Sequence, residues 1–380
     1  MAGGAFGVLV TGQISIEDAI RAINSEVMLF LFGMFVVGVA LEESGYLHTI
    51  GHRLFRKVRS TDQFIFTLIF SFGLLSAVLM NDTLAIIGTP MVLYYAQKFH
   101  ISPRLLLLAL CCAVTTGSVM SPIGNPQNLL IASYSGLDNP FLSFILYLGL
   151  PTLVSLGVTF LLFRFLYPAE FGKNMSIVEE EPVKDPELAG IVRVSLSLLL
   201  LLIALRALAP IFPVSGEIGL PLIALLSAAP ILLFSRKRML LLRSVDWHTL
   251  IFFIAMFVLM GSVWQSGVFQ SLLRSGIPDS VPGILALSVV VSQFISNVPF
   301  VALFQPLLIY RGIPIRQMLA LVAGSTLAGN LTILGAASNV IVIQHAEKRG
   351  ETLTFFEFLR FGIPLTLIQI GIFSLFLDFV

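Results

Sequence analysis

Residues 63–97 read QFIFTLIFSFGLLSAVLMNDTLAIIGTPMVLYYAQ, apolar throughout except where Asn81-Asp82 interrupts them. The stretch is too long for one crossing, which takes about 20 residues, and too apolar for a surface loop. Two more regions have the same character. Residues 102–133 break at Ser121–Asn128 (SPIGNPQN). Residues 283–347 break twice, at Ser296-Asn297-Val298-Pro299 and at Gly335–Asn339. Unsatisfied backbone in hydrocarbon costs several kcal/mol per group, so such breaks survive where they line a cavity or coordinate something. Gly124, Pro126 and Gly335 permit the unwinding.

Composition places these breaks in a membrane. Of 380 residues, 57% are hydrophobic and 11% charged, with mean hydropathy +0.97. So few charges cannot cover a soluble domain. A net charge of +1 supplies no basic field for nucleic acid, and none is expected as a partner. Cys111 and Cys112 are adjacent in an apolar run, which argues against a disulfide between them. The first residues, MAGGAFGVLVTG, lack the basic start of a cleaved signal and are short for a full span. Uninterrupted spans are expected at 27–43, 141–167, 193–212, 215–234, 248–266 and 355–378.

Lysine and arginine set the direction. Clusters lie at His52–Arg59, at Lys98 and Arg104, through 164–193, at Arg236–Arg243 and at Lys348-Arg349. One topology puts all of these in the cytoplasm, and 17 of the 22 basic residues with them. The exceptions are Arg21, Arg206, Arg274, Arg311 and Arg316. That topology requires residues 62–97 to enter from the cytoplasm and return, and 283–311 to do so from outside. Linker 168–192, with its charged stretch Glu179–Glu187, and loop 235–246 become cytoplasmic.

The chain repeats itself. Asn24–Gly45 aligns with Asp246–Gly267 through Phe30/Phe252, Met34/Met256, Phe35/Phe257, Val36/Val258, Ser44/Ser266 and Gly45/Gly267. Asn81, Pro90 and Tyr94 recur as Asn297, Pro306 and Tyr310. Leu107–Asn128 aligns with Met318–Asn339 through Leu108/Leu319, Ala109/Ala320, Leu110/Leu321, Thr115/Thr326, Gly124/Gly335 and Asn128/Asn339. The offset drifts only from 222 to 216 to 211. The first helix of each block runs in opposite directions, so the repeat is inverted. The fold expected is an all-α polytopic membrane protein of two inverted repeats, each with a re-entrant helical hairpin and a discontinuous transmembrane helix. Repeat 1 is 1–167, with hairpin 62–97 and broken helix 102–133. Repeat 2 is 193–380, with hairpin 283–311 and broken helix 315–347. An inverted repeat allows two nearly equivalent packings, one open to each side. Alternating access needs that pair, whereas a channel does not.

Four polar clusters are therefore candidate sites: Asn81-Asp82-Thr83, Ser121–Asn128, Ser296-Asn297, and Thr332 with Gly335–Asn339. Their amides and hydroxyls offer neutral oxygens suited to sodium or to the hydrogen-bonding groups of an anion, and helix ends add partial charges. The competing view is that such residues only hold helices together. Asp82 stands apart, because a midmembrane carboxylate is costly and marks a proton or cation relay. Its counterpart is Val298. Glu42 and Glu43, opposite Trp264-Gln265, read as interface residues. The Cys111-Cys112 pair suggests arsenic–thiol affinity, but adjacent helical side chains diverge by about 100°. His48 and His52 have a metal-compatible spacing at a solvated basic surface. HExxH, GxSxG and Walker motifs are missing. No enzyme and no bound cofactor are expected, and an ATPase subunit supplied from elsewhere stays open.

The runs FGMFVVGVALEESG, MNDTLAIIGTP, SPIGNPQN, SNVPF and LTILGAASN resemble the ion transporter superfamily over about residues 13–378. Its members include arsenite/antimonite permeases, sodium–proton antiporters, citrate transporters and divalent-anion/sodium symporters. The resemblance implies that hairpin tips and helix breaks form the sodium and substrate sites. The residues are Asn81, Asp82, Thr83, Gly124, Asn125, Asn128, Ser296, Asn297, Thr332, Gly335, Ser338 and Asn339. Sodium would be held at Asn81, Asp82, Asn125, Asn297 and Asn339. It also implies an elevator-type transport domain moving against a homodimeric scaffold in the plasma or inner membrane. Dicarboxylate symporters show Ser-Asn-Thr at both tips. Asn-Asp-Thr and Ser-Asn-Val here look more like the arsenite-permease and sodium–proton-antiporter branch. The start of the chain is one helix shorter than the second repeat, where 193–212 has no counterpart. The expected function is proton- or sodium-coupled transport of a small anion, arsenite- or antimonite-like or another inorganic or organic anion. A sodium–proton antiporter and a sodium-coupled di- or tricarboxylate carrier follow, and a passive channel ranks last.

Overall fold

A computed structural model describes residues 1–379 except 135, 176–183, 210–218, 273–275 and 277. Among the described residues every regular element is helical, with one isolated bridge, Ser60 to Asn174. In the first half these are α1 Ala2–Val10, α2 Ile16–Ala22, α3 Ser25–Ser44, α4 Tyr46–Phe55, α5 Thr61–Leu79, α6 Asn81–Phe99, α7 Pro103–Ser118, α8 Pro126–Tyr134, α9 Pro140–Phe144 and α10 Leu150–Leu166. A π-helical turn, Ile145–Gly149, joins α9 to α10, just before Pro151, which has no N–H for the regular ladder. The second half holds α11 Pro186–Leu208, α12 Leu220–Phe234, α13 Arg238–Ser244, α14 Trp247–Gln265, α15 Val268–Leu272, α16 Val281–Ile295, α17 Asn297–Tyr310, α18 Ile315–Leu331, α19 Ala337–Glu347 and α20 Phe355–Phe379.

Six described helices are long and apolar enough to span: α3, α5, the continuous Pro140–Leu166, α11, α14 and α20. The span expected at 193–212 begins earlier. Asp185 accepts the Leu188 N–H and Pro186 occupies the first turn, so α11 takes residues that charge had assigned to the linker. Its expected end, 210–212, and most of Glu179–Glu187 lie outside the described residues.

Both hairpins and both broken helices are present. Hairpin 62–97 is α5 and α6, joined at Met80, and hairpin 283–311 is α16 and α17, joined at Ser296. Broken helix 102–133 is α7 and α8. Broken helix 315–347 is α18 and α19, with a short 3-10 turn at Ile333–Gly335 between them. The first halves of the broken helices form the centre. Leu105–Ser118 of α7 and Met318–Asn330 of α18 are buried on every side, as helices apolar all round must be. Gly117 lets α7 lie against α5, because a Cβ there would fall 2.0 Å from the Gly73 carbonyl oxygen.

Polar contacts show which ends lie together. At one end Arg104 pairs with Glu357, Arg164 with Asp62 and Lys237 with Asp185. These gather the starts of α5, α7, α11 and α20 with the ends of α10 and α12; this is the basic end. At the opposite end the Asn139 amide donates to the Arg206 and Ala207 carbonyls, and Arg316 donates to the Asp378 carbonyl. Hairpin α5–α6 opens toward the basic end and α16–α17 toward the other. The halves also exchange neighbours: α12 packs on α3, and α1 with α2 packs on α14.

Candidate functional site

The two hairpin tips share an unusual backbone. Met80 has φ 66°, ψ 143° and Ser296 has φ 66°, ψ 162°. Glycine occupies this region almost alone, and another residue there is strained by about 1–3 kcal/mol. Met80 and Ser296 differ by the same 216 positions as Asn81 and Asn297. The turn aims each asparagine inward: Asn81, Asp82, Thr83 and Asn297 are all buried.

Each tip meets a helix break. The Asn81 backbone N–H donates to the Gly124 carbonyl at 2.9 Å, and its side-chain amide reaches the Ser338 hydroxyl at 3.4 Å. The first tip therefore touches the breaks of both halves. At the second, Gln293 of α16 accepts from the Thr332 hydroxyl at 2.7 Å and donates to the Ala328 carbonyl at 2.9 Å. Farther along that hairpin, Gln305 donates to the Ile131 carbonyl of α8 at 3.1 Å.

One asparagine staples each break. The Asn128 amide donates to the Ser118 and Ser121 carbonyls, each at 3.0 Å. The Asn339 amide donates to the Gly329 and Thr332 carbonyls at 2.6 and 3.3 Å. Both use the residues ten and seven positions earlier, so carbonyls freed by unwinding find the same donor in each half. Glycine is required beside each staple. A Cβ on Gly124 would fall 2.3 Å from the Ser118 oxygen, and one on Gly335 would fall 2.2 Å from the Ala328 oxygen.

The breaks differ at one position. Asn125 donates to Thr326, which donates to Asn128 Oδ1, while Asn125 Oδ1 accepts the Asn128 N–H. The counterpart of Asn125 is Ala336, with no amide. In the related half Asn339 Oδ1 and Thr115 Oγ1, counterparts of the bonded Asn128 and Thr326 atoms, are buried without partners among the described residues, as is Asn297 Oδ1. The oxygens of Asn81 and Asn125, expected among the sodium ligands, are engaged, since Asn81 Oδ1 accepts the Asp82 N–H. Of the expected sodium ligands, Asn297 and Asn339 keep uncommitted amide oxygens among the described residues.

Asp82 is buried, and its carboxylate has no hydrogen-bond or ion-pair partner among the described residues. One acid near enough to interact with it is Asp246. Asp246 caps α14 by accepting the Thr249 N–H and hydroxyl. Asn24 caps α3 at the related position by accepting the Val27 N–H.

Two cavities flank this layer. One of about 1140 Å³ lies at the end opposite the basic cluster, between α2, α8, α14 and α17. The other, about 420 Å³, lies at the basic end between α3, α6, α19 and the start of α14. Their linings correspond at the offsets of the repeat. Arg21 answers to Arg243, Asn24 to Asp246, Met260 to Gly38, Phe257 to Phe35, Ala302 to Ile86 and Tyr134 to His345. Glu42 lines the narrow cavity and its counterpart Trp264, with Gln265, the wide one, at opposite ends as an inverted repeat requires. The pattern of unpaired oxygens and the matched linings were not read from sequence. The Thr115/Thr326, Asn128/Asn339 and Phe35/Phe257 identities were their visible traces. Cys111 and Cys112 are free and buried in the core.

Comparison with known proteins agrees with this fold. The family described as CitMHS, citrate transporter, matches residues 1–312. A 46 kDa membrane protein of Mycobacterium leprae is 28% identical, over 98% of this chain and 91% of its own length. The silicon efflux transporter LSI3 of Oryza sativa subsp. japonica is 27% identical, over 97% and 90%. Among solved structures, the Alcanivorax borkumensis YdaH transporter superposes with TM-score 0.60 at 18% identity, covering 92% of this chain and 83% of that one. That similarity speaks for the fold alone.

Proposed function

Because the chain belongs to the citrate transporter family, a family of membrane carriers rather than enzymes, we propose that it moves a small oxygen-rich anion or its parent acid by alternating access, coupled to protons or sodium at the hairpin tips. The unpaired carboxylate of Asp82 carries this reading. A buried charge without a partner is retained at a cost, and within a bilayer such groups serve ion and proton transfer. Wide and narrow cavities with corresponding linings support the exchange, since interchanging the packings of the halves interchanges the cavities. The division into repeat 1 (1–167), linker (168–192) and repeat 2 (193–380), the homodimer, the elevator motion, the plasma-membrane location and the cytoplasmic assignment of the basic end belong to the same proposal.

Arsenite, silicic acid, citrate and sodium chloride are the solutes to test in proteoliposomes, read with a trapped pH dye. Asp82→Asn should abolish coupled flux while leaving a folded protein. Full coupled flux in that variant would sink the assignment. A second reading, sodium–proton exchange without another solute, is favoured by the unpaired Asn297 and Asn339 oxygens, since neutral oxygens suit sodium. A dye response to sodium chloride alone distinguishes it.

A further inference from the structure

The two cavities differ in the ionisable side chains that line them. The narrow one is lined by Glu42, Asp246, His248 and His345, together with Arg243. At related positions stand Trp264, Asn24, Tyr134 and Glu26 for Glu42, Asp246, His345 and His248; the first three line the wide cavity and do not exchange a proton near pH 7, while Glu26 lies outside that lining and acts on Tyr134. The wide cavity is also lined by Asp18, Arg21 and Arg311, with Asp18 bonded to Ser15 and Arg21 paired with Glu17, but its lining holds no histidine among the described residues.

The narrow cavity also reaches the tip. Thr83, next to Asp82, forms part of its wall and packs against Gly38 of α3, where a Cβ would fall 2.8 Å from the Thr83 methyl group. Asp246 lies within electrostatic range of Asp82. Around the mouth, Glu43 and Lys184 act on Glu42, as does Arg349, while Lys348 and Arg349 act on His345. The volume, about 420 Å³, accommodates on the order of ten waters.

We propose that this cavity is the path by which Asp82 exchanges its proton with the compartment at the basic end, His345 and His248 relaying it between the Glu42 and Asp246 carboxylates and the hairpin tip. A hydronium ion gives its proton to an imidazole. That ring releases the proton on its other nitrogen inward, through water where groups are apart, and the carboxylate of Asp82 becomes a neutral acid. The reverse sequence discharges it. The wide cavity, with tyrosine and asparagine in place of histidine and aspartate, serves the solute and offers no histidine relay.

This rests on the reading of Asp82 as the proton-bearing group, and the test separates the two. The full chain is placed in vesicles with the basic end outward, and the carboxyl stretch of Asp82, identified by its loss in Asp82→Asn, is followed by infrared spectroscopy after a pH jump. His345→Tyr, which installs the residue found at the related position, and the pair His345→Gln with His248→Gln should slow the response at least about tenfold with its amplitude intact, the order expected for loss of a positioned proton donor. Two variant sets guard against one failing to fold. Unchanged rates overturn the path alone. A wild-type band that does not titrate between about pH 5 and about pH 9 overturns the role of Asp82 and the path with it.

Discussion

Replacing Ser296 by glycine should strengthen the protein, although glycine ordinarily weakens a helical segment. Within a helix the change from alanine to glycine costs about 1 kcal/mol. At Ser296 φ is 66° and ψ 162°, and a residue with a Cβ is strained there by about 1–3 kcal/mol, which glycine escapes. Its looser unfolded chain returns about 0.5–1 kcal/mol of that gain. The Ser296 side chain caps neither helix, so little else is lost. Ser296→Gly should therefore exceed Ser296→Ala by about 1 kcal/mol, the reverse of the usual order. Met80→Gly against Met80→Ala should show the same sign, because the loss of the buried methionine enters both variants and cancels. Denaturant unfolding in mixed micelles, followed by tryptophan fluorescence, measures the difference. Glycine variants at or below the alanine variants at both sites would refute the idea that the tips store backbone strain.

Other consequences follow from individual contacts. Asn339→Ala removes the donor shared by the Gly329 and Thr332 carbonyls and should cost about 2–4 kcal/mol, two buried acceptors at roughly 1–3 each incompletely compensated by water. Asn128→Ala should cost at least as much, since Thr326 also loses its acceptor; unchanged unfolding in either would remove the staple. Asp185 is held below the usual carboxylate range by the Leu188 N–H and by Lys237. A depressed folded value stabilises above the unfolded pKa of about 3.9 and loses that contribution as pH falls through the folded value. Asp185→Asn, which keeps a capping oxygen, should lower the melting temperature slightly at pH 7, and the gap from wild type should close below about pH 3. A gap constant from neutral to acid pH would assign the loss to the cap.

The breaks could be read from the sequence because Gly124, Pro126, Asn128, Gly335 and Asn339 stand where uninterrupted hydrocarbon was due, and few structures satisfy polar backbone there. Phe35/Phe257 and its neighbours gave the repeat for a similar reason, since each half builds the same packed layer. Other features depended on knowing which atoms meet. Asn125 looked like a sodium ligand, and only in space is its amide committed to Thr326 and its oxygen to Asn128. Ala336 was unremarkable until its lack of an amide left Thr115 Oγ1 without the donor that Asn125 gives Thr326, beside an unpartnered Asn339 Oδ1. Charge drew the linker too far, because the pattern of acids does not show that Pro186 begins a helical turn capped by Asp185. The pairing of Tyr134 with His345 required both halves to be folded, since the two walls come from different parts of the chain.

The exchange of neighbours between the halves bears on biosynthesis. When the first half has emerged, α3 lacks α12, and α1 with α2 has no α14 to lie against. Gly33 leaves room for one particular occupant, since a Cβ there would meet the Ala224 backbone at 2.7 Å. The first half therefore carries unfilled berths that later-made segments occupy. Truncation after α10 should yield an insertion-competent but unfinished product.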